Sequence, residues 1–249
     1  MAGHSKWANI KHRKARVDAK RGTQWSKCAR AIIVAAKNGG ADPATNLTLR
    51  YAIEEARAVN MPKDTIANAV KKGAGELAAE TYESIIYEGY GPSGVAVLLE
   101  ILTDNRNRTA GEIRKIFEQH NGNLGASGCV SYLFQTWGQI MVAKGAVDDE
   151  KLMEVVIDAG GDDVIDDDES WQVLCSPARF MAVRQALEAA QFPQERAQIT
   201  QIPSSTITCT GGDARRLINL LEALEEHDDV QKAYANFEIP DEEMTALEG

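Results

Sequence analysis

Aromatic residues make up only 6% of this 249-residue chain. That is too few for one large aromatic-rich core, so several small cores are expected. Cysteine is also scarce. Cys28, Cys129, Cys175 and Cys209 are the full set, and no two lie within four residues of each other. This spacing excludes CxxC redox and zinc-ribbon frames and reads as four small buried hydrophobes in a reducing compartment. No apolar run reaches about 18 residues, so no helix is expected to span a membrane. The N-terminus lacks the apolar stretch of a secretory signal, which makes the cytoplasm the expected location. His4, His12, His120 and His227 are scattered, with no pair at zinc spacing. The acid run Asp162-Asp163 and Asp166–Glu169 lacks the frame of a calcium loop. Gly89–Gly94 fits neither GxxxxGK[ST] nor GxGxxG, and Gly125–Gly128 is not a GxSxG elbow. With no nucleophile–base pair, cofactor loop or metal cluster in view, the chain reads as a non-enzyme without cofactor or small-molecule substrate.

The charge distribution is far from even. The first thirty residues hold nine Lys or Arg and a single acid, Asp18, a net of +8 on a chain whose total is −10. The remainder therefore carries −18. Residues 145–249 alone hold seven bases and twenty-four acids. An acidic body gains no solubility from a cationic leader, whereas clustered cations attract a polyanion, usually nucleic acid. The alternative is an arm that folds back and neutralises the acidic body.

Apolar periodicity divides the rest. Trp25, Cys28, Ala29, Ile32 and Ala36 form one helical stripe, stopped by Asn38-Gly39-Gly40. The stripe assigns Trp25 to a core and leaves Trp7 free to stack on a base. A second helix is expected from about Asp42-Pro43, and a third from Pro62 to Gly73. Strands are expected at 84–88, 95–102 and 129–134, with a helix at 109–120. Residues 136–203 then read as β-α-β-β-α-β, the ferredoxin-like order, with helices over 149–159 and 177–190. A helix over 214–226 and a strand over 230–237 follow, and supply what 81–134 lacks for a second α/β sandwich. The expected fold class is α+β: an N-terminal three-helix domain followed by two ferredoxin-like α/β domains, the last inserted into the middle one. The expected division is a basic arm (1–22), a helical domain (23–80), an α/β domain from 81–135 plus 204–240, the insert (136–203) and an acidic tail (241–249).

The arm GHSKWANIKHRKARVDAKRG (3–22) resembles the start of the YebC family, which includes mitochondrial translational activators of cytochrome oxidase. The resemblance continues in MPKDTIANAVKKGAGE (61–76), YEGYGPSGVAVLLEILTDNRNRT (87–109) and NLGASGCVSYLF (123–134). Beyond Gly138 it is mainly one of element order. The resemblance implies three domains, one helical and two α/β. It also implies a regulator that works on nucleic acid or on the ribosome. Bacterial members are commonly labelled as DNA-binding transcriptional regulators, and other members are assigned to translation and the relief of stalled ribosomes.

The candidate nucleic-acid contacts are Lys6, Trp7, Lys11, Arg13, Lys14, Arg16, Lys20, Arg21, Lys27 and Arg30, because long cationic side chains reach phosphates and interleaved rings stack on bases. Arg106 and Arg108 form a second candidate patch in the strand-to-helix segment TDNRNRT (103–109). Two arginines, two asparagines and helix N-terminal amides suit an anion there. The competing reading is local: Thr109 or Asn107 caps the helix and the arginines pair with nearby acids. No helix-turn-helix or zinc finger is legible, so base-specific reading is not expected. The expected partner is DNA, ribosomal RNA or both. The first reading is a DNA-binding transcriptional regulator. The alternative is a translation factor that binds the ribosome or its RNA and relieves stalled translation.

Overall fold

The stripe that begins at Trp25 seeds a three-helix bundle. Helix α1 (Arg21–Gly39) carries the stripe, and α2 (Leu47–Ala58) and α3 (Lys63–Gly73) close over it. Ile32, Ala36, Leu49, Ile53, Ala56, Met61 and Ile66 form the buried centre, with Trp25, Cys28 and Ala29 packed against it. Trp25 also places its ring N–H on the Val59 carbonyl at 3.1 Å, as an indole half-buried beside a helix end requires. Helices α1 and α3 approach closely at Gly73, where a Cβ would lie 2.6 Å from that of Ala36. The structure, a computed structural model, describes residues 21–78, 81–146, 148–167, 170–240 and 243.

Helix α2 starts later than the Asp42-Pro43 signal suggests. Asp42 Oδ1 accepts the Ala44 amide at 2.9 Å and turns the chain, and Asn46 becomes the N-cap, accepting from the Leu49 amide at 3.0 Å. The Asn46 amide nitrogen donates to the carbonyls of Ala35 and Gly40, both at 2.8 Å. One buried side chain therefore serves the end of α1 and the start of α2 together.

The chain divides into two compact units. One holds the described residues up to Ser131 together with those from Thr206 onward, and the other is Tyr132–Ser205. Beyond the bundle, the first unit has a four-stranded sheet of order β3-β1-β2-β9 with antiparallel neighbours. Its strands are β1 (Glu83–Tyr90), β2 (Ala96–Thr103), β3 (Asn123–Leu124) and β9 (Val230–Ala235). Helices α4 (Arg106–Gln119) and α7 (Gly211–Glu226) cover one face, where Val97, Leu99 and Ile101 meet Ile113, Phe117, Leu217 and Leu221. The expected strand over 230–237 is interrupted at Asn236, whose Oδ1 accepts the Ala96 amide at 2.7 Å. The chain then continues as β10 (Phe237–Glu238), parallel to β8 (Ile207–Thr208).

The expected strand over 129–134 is not formed, for a reason found in β1. Glu88 is only 4% exposed. Its Oε1 accepts the Gly128 amide at 2.6 Å, and its Oε2 accepts the amides of Val130 and Ser131, both at 2.7 Å. Amides that would build a ladder are spent on a carboxylate, so the segment curls around it, and the next strand begins only at Phe134. Burial acts to raise the Glu88 pKa, but these backbone hydrogen bonds outweigh it and hold the carboxyl below its usual range.

The second unit contains β4 (Phe134–Ala143), α5 (Asp149–Asp158), β5 (Asp163–Asp167), β6 (Ser170–Cys175), α6 (Phe180–Ala189) and β7 (Gln194–Pro203). Its sheet order is β5-β6-β4-β7, antiparallel throughout, the ferredoxin-like arrangement. Residues 177–179 form a turn ahead of α6 instead of its first turn. The buried side chains include Ile140, Val142, Leu152, Val156, Val173, Phe180 and Leu187.

Candidate nucleic-acid interface

The residues singled out from the sequence fall into three groups. Lys6, Trp7, Lys11, Arg13, Lys14, Arg16 and Lys20 lie outside the described residues, and Arg21 opens α1. The second group, Lys27 and Arg30, sits on α1 away from the apolar stripe and is half-buried. Lys27 Nζ donates to the Glu225 carbonyl at 2.5 Å, close to the C-terminal end of α7. Arg30 donates to the Asp228 carbonyl at 2.5 Å and to Asp229 Oδ1 at 3.3 Å, and its guanidinium lies 5.6 Å from the Tyr82 ring centroid. These contacts tie the bundle to the α/β part of the same unit, at a helix end whose carbonyls attract cations. Desolvation lowers the Lys27 pKa to about 8, against the pull of Asp228 and Glu226. Lys232 and Glu55 add an ion pair of 2.7 Å between the same two parts.

The third group is the TDNRNRT segment, which makes a helix cap and ion pairs within the chain. Asn105, rather than Asn107 or Thr109, is the N-cap of α4, accepting the Arg108 amide at 3.1 Å. The helix therefore begins at Arg106, three residues before the start read from periodicity. Arg108 Nη2 lies 2.8 Å from Asp104 Oδ1 and 2.9 Å from Asp229 Oδ2. Hydrogen bonding to Asp229 and Asp104 holds its pKa above the usual value. Thr109 donates to Asp229 Oδ2 at 2.7 Å. Asp229, 3% exposed, thus receives Arg30, Arg108 and Thr109 together. Burial acts to raise its pKa, but the hydrogen bonds from Thr109, Arg108 and Thr103 prevail and keep it below the usual range. Arg108 is thereby brought together with Arg30 at one carboxylate, as part of an internal network. Arg106 stands apart and exposed.

These groups line an open groove of about 770 Å³, with Arg30, Tyr82, Arg108 and Lys115 facing Asp104, Glu112, Glu226, Asp228 and Asp229. Cations and acids are interleaved there, so the groove does not present a single-sign surface to a phosphate backbone.

Exposed cations lie elsewhere on the bundle: Lys37 at the end of α1, Arg57 at the end of α2, and Lys63, Lys71 and Lys72 on α3. Over residues 21–78 the sequence holds nine bases and five acids, a net of +4. Lys63, Lys71 and Lys72 fall inside the MPKDTIANAVKKGAGE segment (61–76) but are not among the contacts expected from the sequence. The available signal was the Lys71-Lys72 pair just before Gly73, placed by the apolar period on the side opposite Ile66 and Ala69.

Comparison with known proteins agrees with the architecture. Residues 5–76 match the TACO1/YebC protein N-terminal domain, and residues 82–237 match the TACO1/YebC second and third domain. A probable transcriptional regulatory protein of Geobacter sulfurreducens is 53% identical over 247 residues, covering 99% of this chain and 100% of the relative. One from Dictyoglomus turgidum is 49% identical over 248 residues, with 99% and 100% covered. The crystal structure of a conserved hypothetical protein from Aquifex aeolicus superposes with a TM-score of 0.80 at 50% identity, covering 91% of this chain and 94% of that one. With matches running through the bundle and both α/β parts, the chain belongs to the TACO1/YebC family.

Proposed function

We propose that this protein is a nucleic-acid-binding regulator that grips the phosphate backbone through its N-terminal arm and the exposed cations of the bundle. The observation that carries the reading is the charge polarity. Residues 1–78 hold fifteen bases and six acids, and the remaining residues hold twelve bases and thirty-one acids. A polyanion therefore meets attraction at one end of the chain and repulsion along the rest, which orients it without any base contact. The working contacts are Lys6, Lys11, Arg13, Lys14, Arg16, Lys20 and Arg21, with Trp7 as a stacking ring. Lys63, Lys71 and Lys72 add exposed cations on the bundle. Lys27, Arg30 and Arg108 act mainly as internal ties that fix the bundle. Arg106 is a peripheral contact.

The relatives are named probable transcriptional regulatory proteins, which favours transcription, with DNA as the polyanion that role would use. The same backbone chemistry serves ribosomal RNA, and the translational activators within the family make a ribosome-bound role the second reading. In-cell crosslinking followed by sequencing of the bound nucleic acid separates the two. Enrichment of promoter DNA supports transcriptional regulation. Enrichment of ribosomal RNA, with the protein moving into the ribosomal fractions of a gradient, supports the translational role. Recovery of neither above background overturns the proposal.

A further inference from the structure

Helix α5 of the Tyr132–Ser205 unit buries Leu152 and Val156 and turns a second apolar ridge outward. Ile157 is 70% exposed and Met153 is 43% exposed. Four residues apart, they stand one above the other on a single helix face. Isolated exposed apolar side chains are ordinary, but two stacked on one ridge form a surface on which another helix can pack. The ridge is rimmed by acids. At about 100° per residue, Asp149 falls beside the ridge on one side, and Glu150 and Glu154 fall on the other. All three are exposed. Lys151 lies roughly opposite on the wheel. The unit as a whole holds five bases and thirteen acids, a net of −8.

This electrostatic setting selects the occupant. A nucleic acid or an anionic lipid surface is repelled by the rim. A second copy would bring the same acids face to face across a symmetric contact. We propose that the Met153–Ile157 ridge docks a basic amphipathic helix of another protein, with apolar side chains on the ridge and Lys or Arg against Asp149, Glu150 and Glu154. Such a helix belongs to the chemistry of proteins that themselves bind nucleic acid. The chain would then join a polyanion at its N-terminal end to a basic protein at its inserted unit. This inference does not depend on which nucleic acid the arm holds.

The test uses the full chain and two labelled synthetic peptides of identical composition. One is a helix with leucines at i and i+4 flanked by lysines, and the other is a scrambled version without an apolar face. Fluorescence anisotropy is expected to show the amphipathic peptide binding at least about tenfold more tightly than the scrambled one, with Ile157→Ser removing about that factor. Glu150→Gln with Glu154→Gln is expected to weaken binding several-fold and to flatten its salt dependence. Ile157 is exposed, so its substitution leaves the core untouched, and unchanged melting of the variant verifies this. Equal binding of the two peptides, or an Ile157→Ser variant that binds like the parent, overturns the proposal. Sedimentation of the free chain supplies the competing outcome: a dimer dissociated by Ile157→Ser assigns the ridge to a second copy and also overturns it.

Discussion

Replacing Glu88 by Gln keeps size and shape but removes the charge that three amides converge on. In the native loop Oε1 accepts from Gly128, and Oε2 accepts from Val130 and Ser131. A glutamine keeps one acceptor oxygen, which can serve two of these amides, and turns an NH2 donor toward the third. Hydrogen bonds to a charged group are worth about 1.5–3 kcal/mol each, and leaving a buried donor unpaired costs about 1–3 kcal/mol. The expected loss is therefore roughly 2–4 kcal/mol. For a chain of this size that lowers the melting temperature of the unit by about 5–15 °C. The effect has a pH signature. The Glu88 pKa is lower when folded than its ordinary value of 4.5. The advantage of the wild type is thus complete above that value and shrinks as pH falls below it toward the folded pKa. Calorimetry at neutral pH and near pH 3, with hydrogen exchange across 126–131, measures both parts. A Gln variant that melts with the wild type at neutral pH and keeps the same protection at Gly128, Val130 and Ser131 refutes the reasoning.

Other outcomes follow from the same geometry. Gly73→Ala should push α3 away from Ala36 and the Ile33 carbonyl, destabilising the bundle by about 1–3 kcal/mol in a urea titration. Lys27 has a folded pKa of about 8 against an ordinary 10.5. Over that range the unfolded chain binds more protons, so stability rises with pH. The urea midpoint of the wild type relative to Lys27→Met should therefore increase between pH 7.5 and 9.5. Burial pushes the Cys28 and Cys175 thiols up to about 11. Iodoacetamide at pH 8 should leave both unlabelled in the native protein and label them in urea, as peptide mass spectrometry can read.

The fold was legible wherever an apolar period ran uninterrupted. The Trp25–Ala36 stripe, the Pro62 and Gly73 boundaries and the β-α-β-β-α-β order of the inserted unit all carry a local signal. Local signals fail where a side chain outside the signalled segment decides the backbone. Nothing in Cys129–Phe134 reveals that Glu88, some forty residues earlier, claims its amides. Asn46 displaced the Asp42-Pro43 signal because it serves two helix ends at once. The candidate interface was legible as charge and, at Arg108, as local pairing with Asp104, but not as pairing across the fold. Lys27, Arg30 and Arg108 look alike in sequence to any surface cation, and only the fold brings the Glu225–Asp229 segment against them.

The most direct measurement is the affinity of the full chain for a short duplex and for a structured RNA across a salt series, beside a version lacking residues 1–22. If about five arm cations contact phosphates, the arm should contribute about −4 to −5 to the slope of log affinity against log salt on duplex DNA. Removing the arm should take away that contribution, leaving a slope no steeper than about −3 from Lys63, Lys71 and Lys72, and weaken binding by about 100-fold or more near 0.1 M salt. A shortened chain that holds both polynucleotides with the original affinity and the original slope contradicts the account.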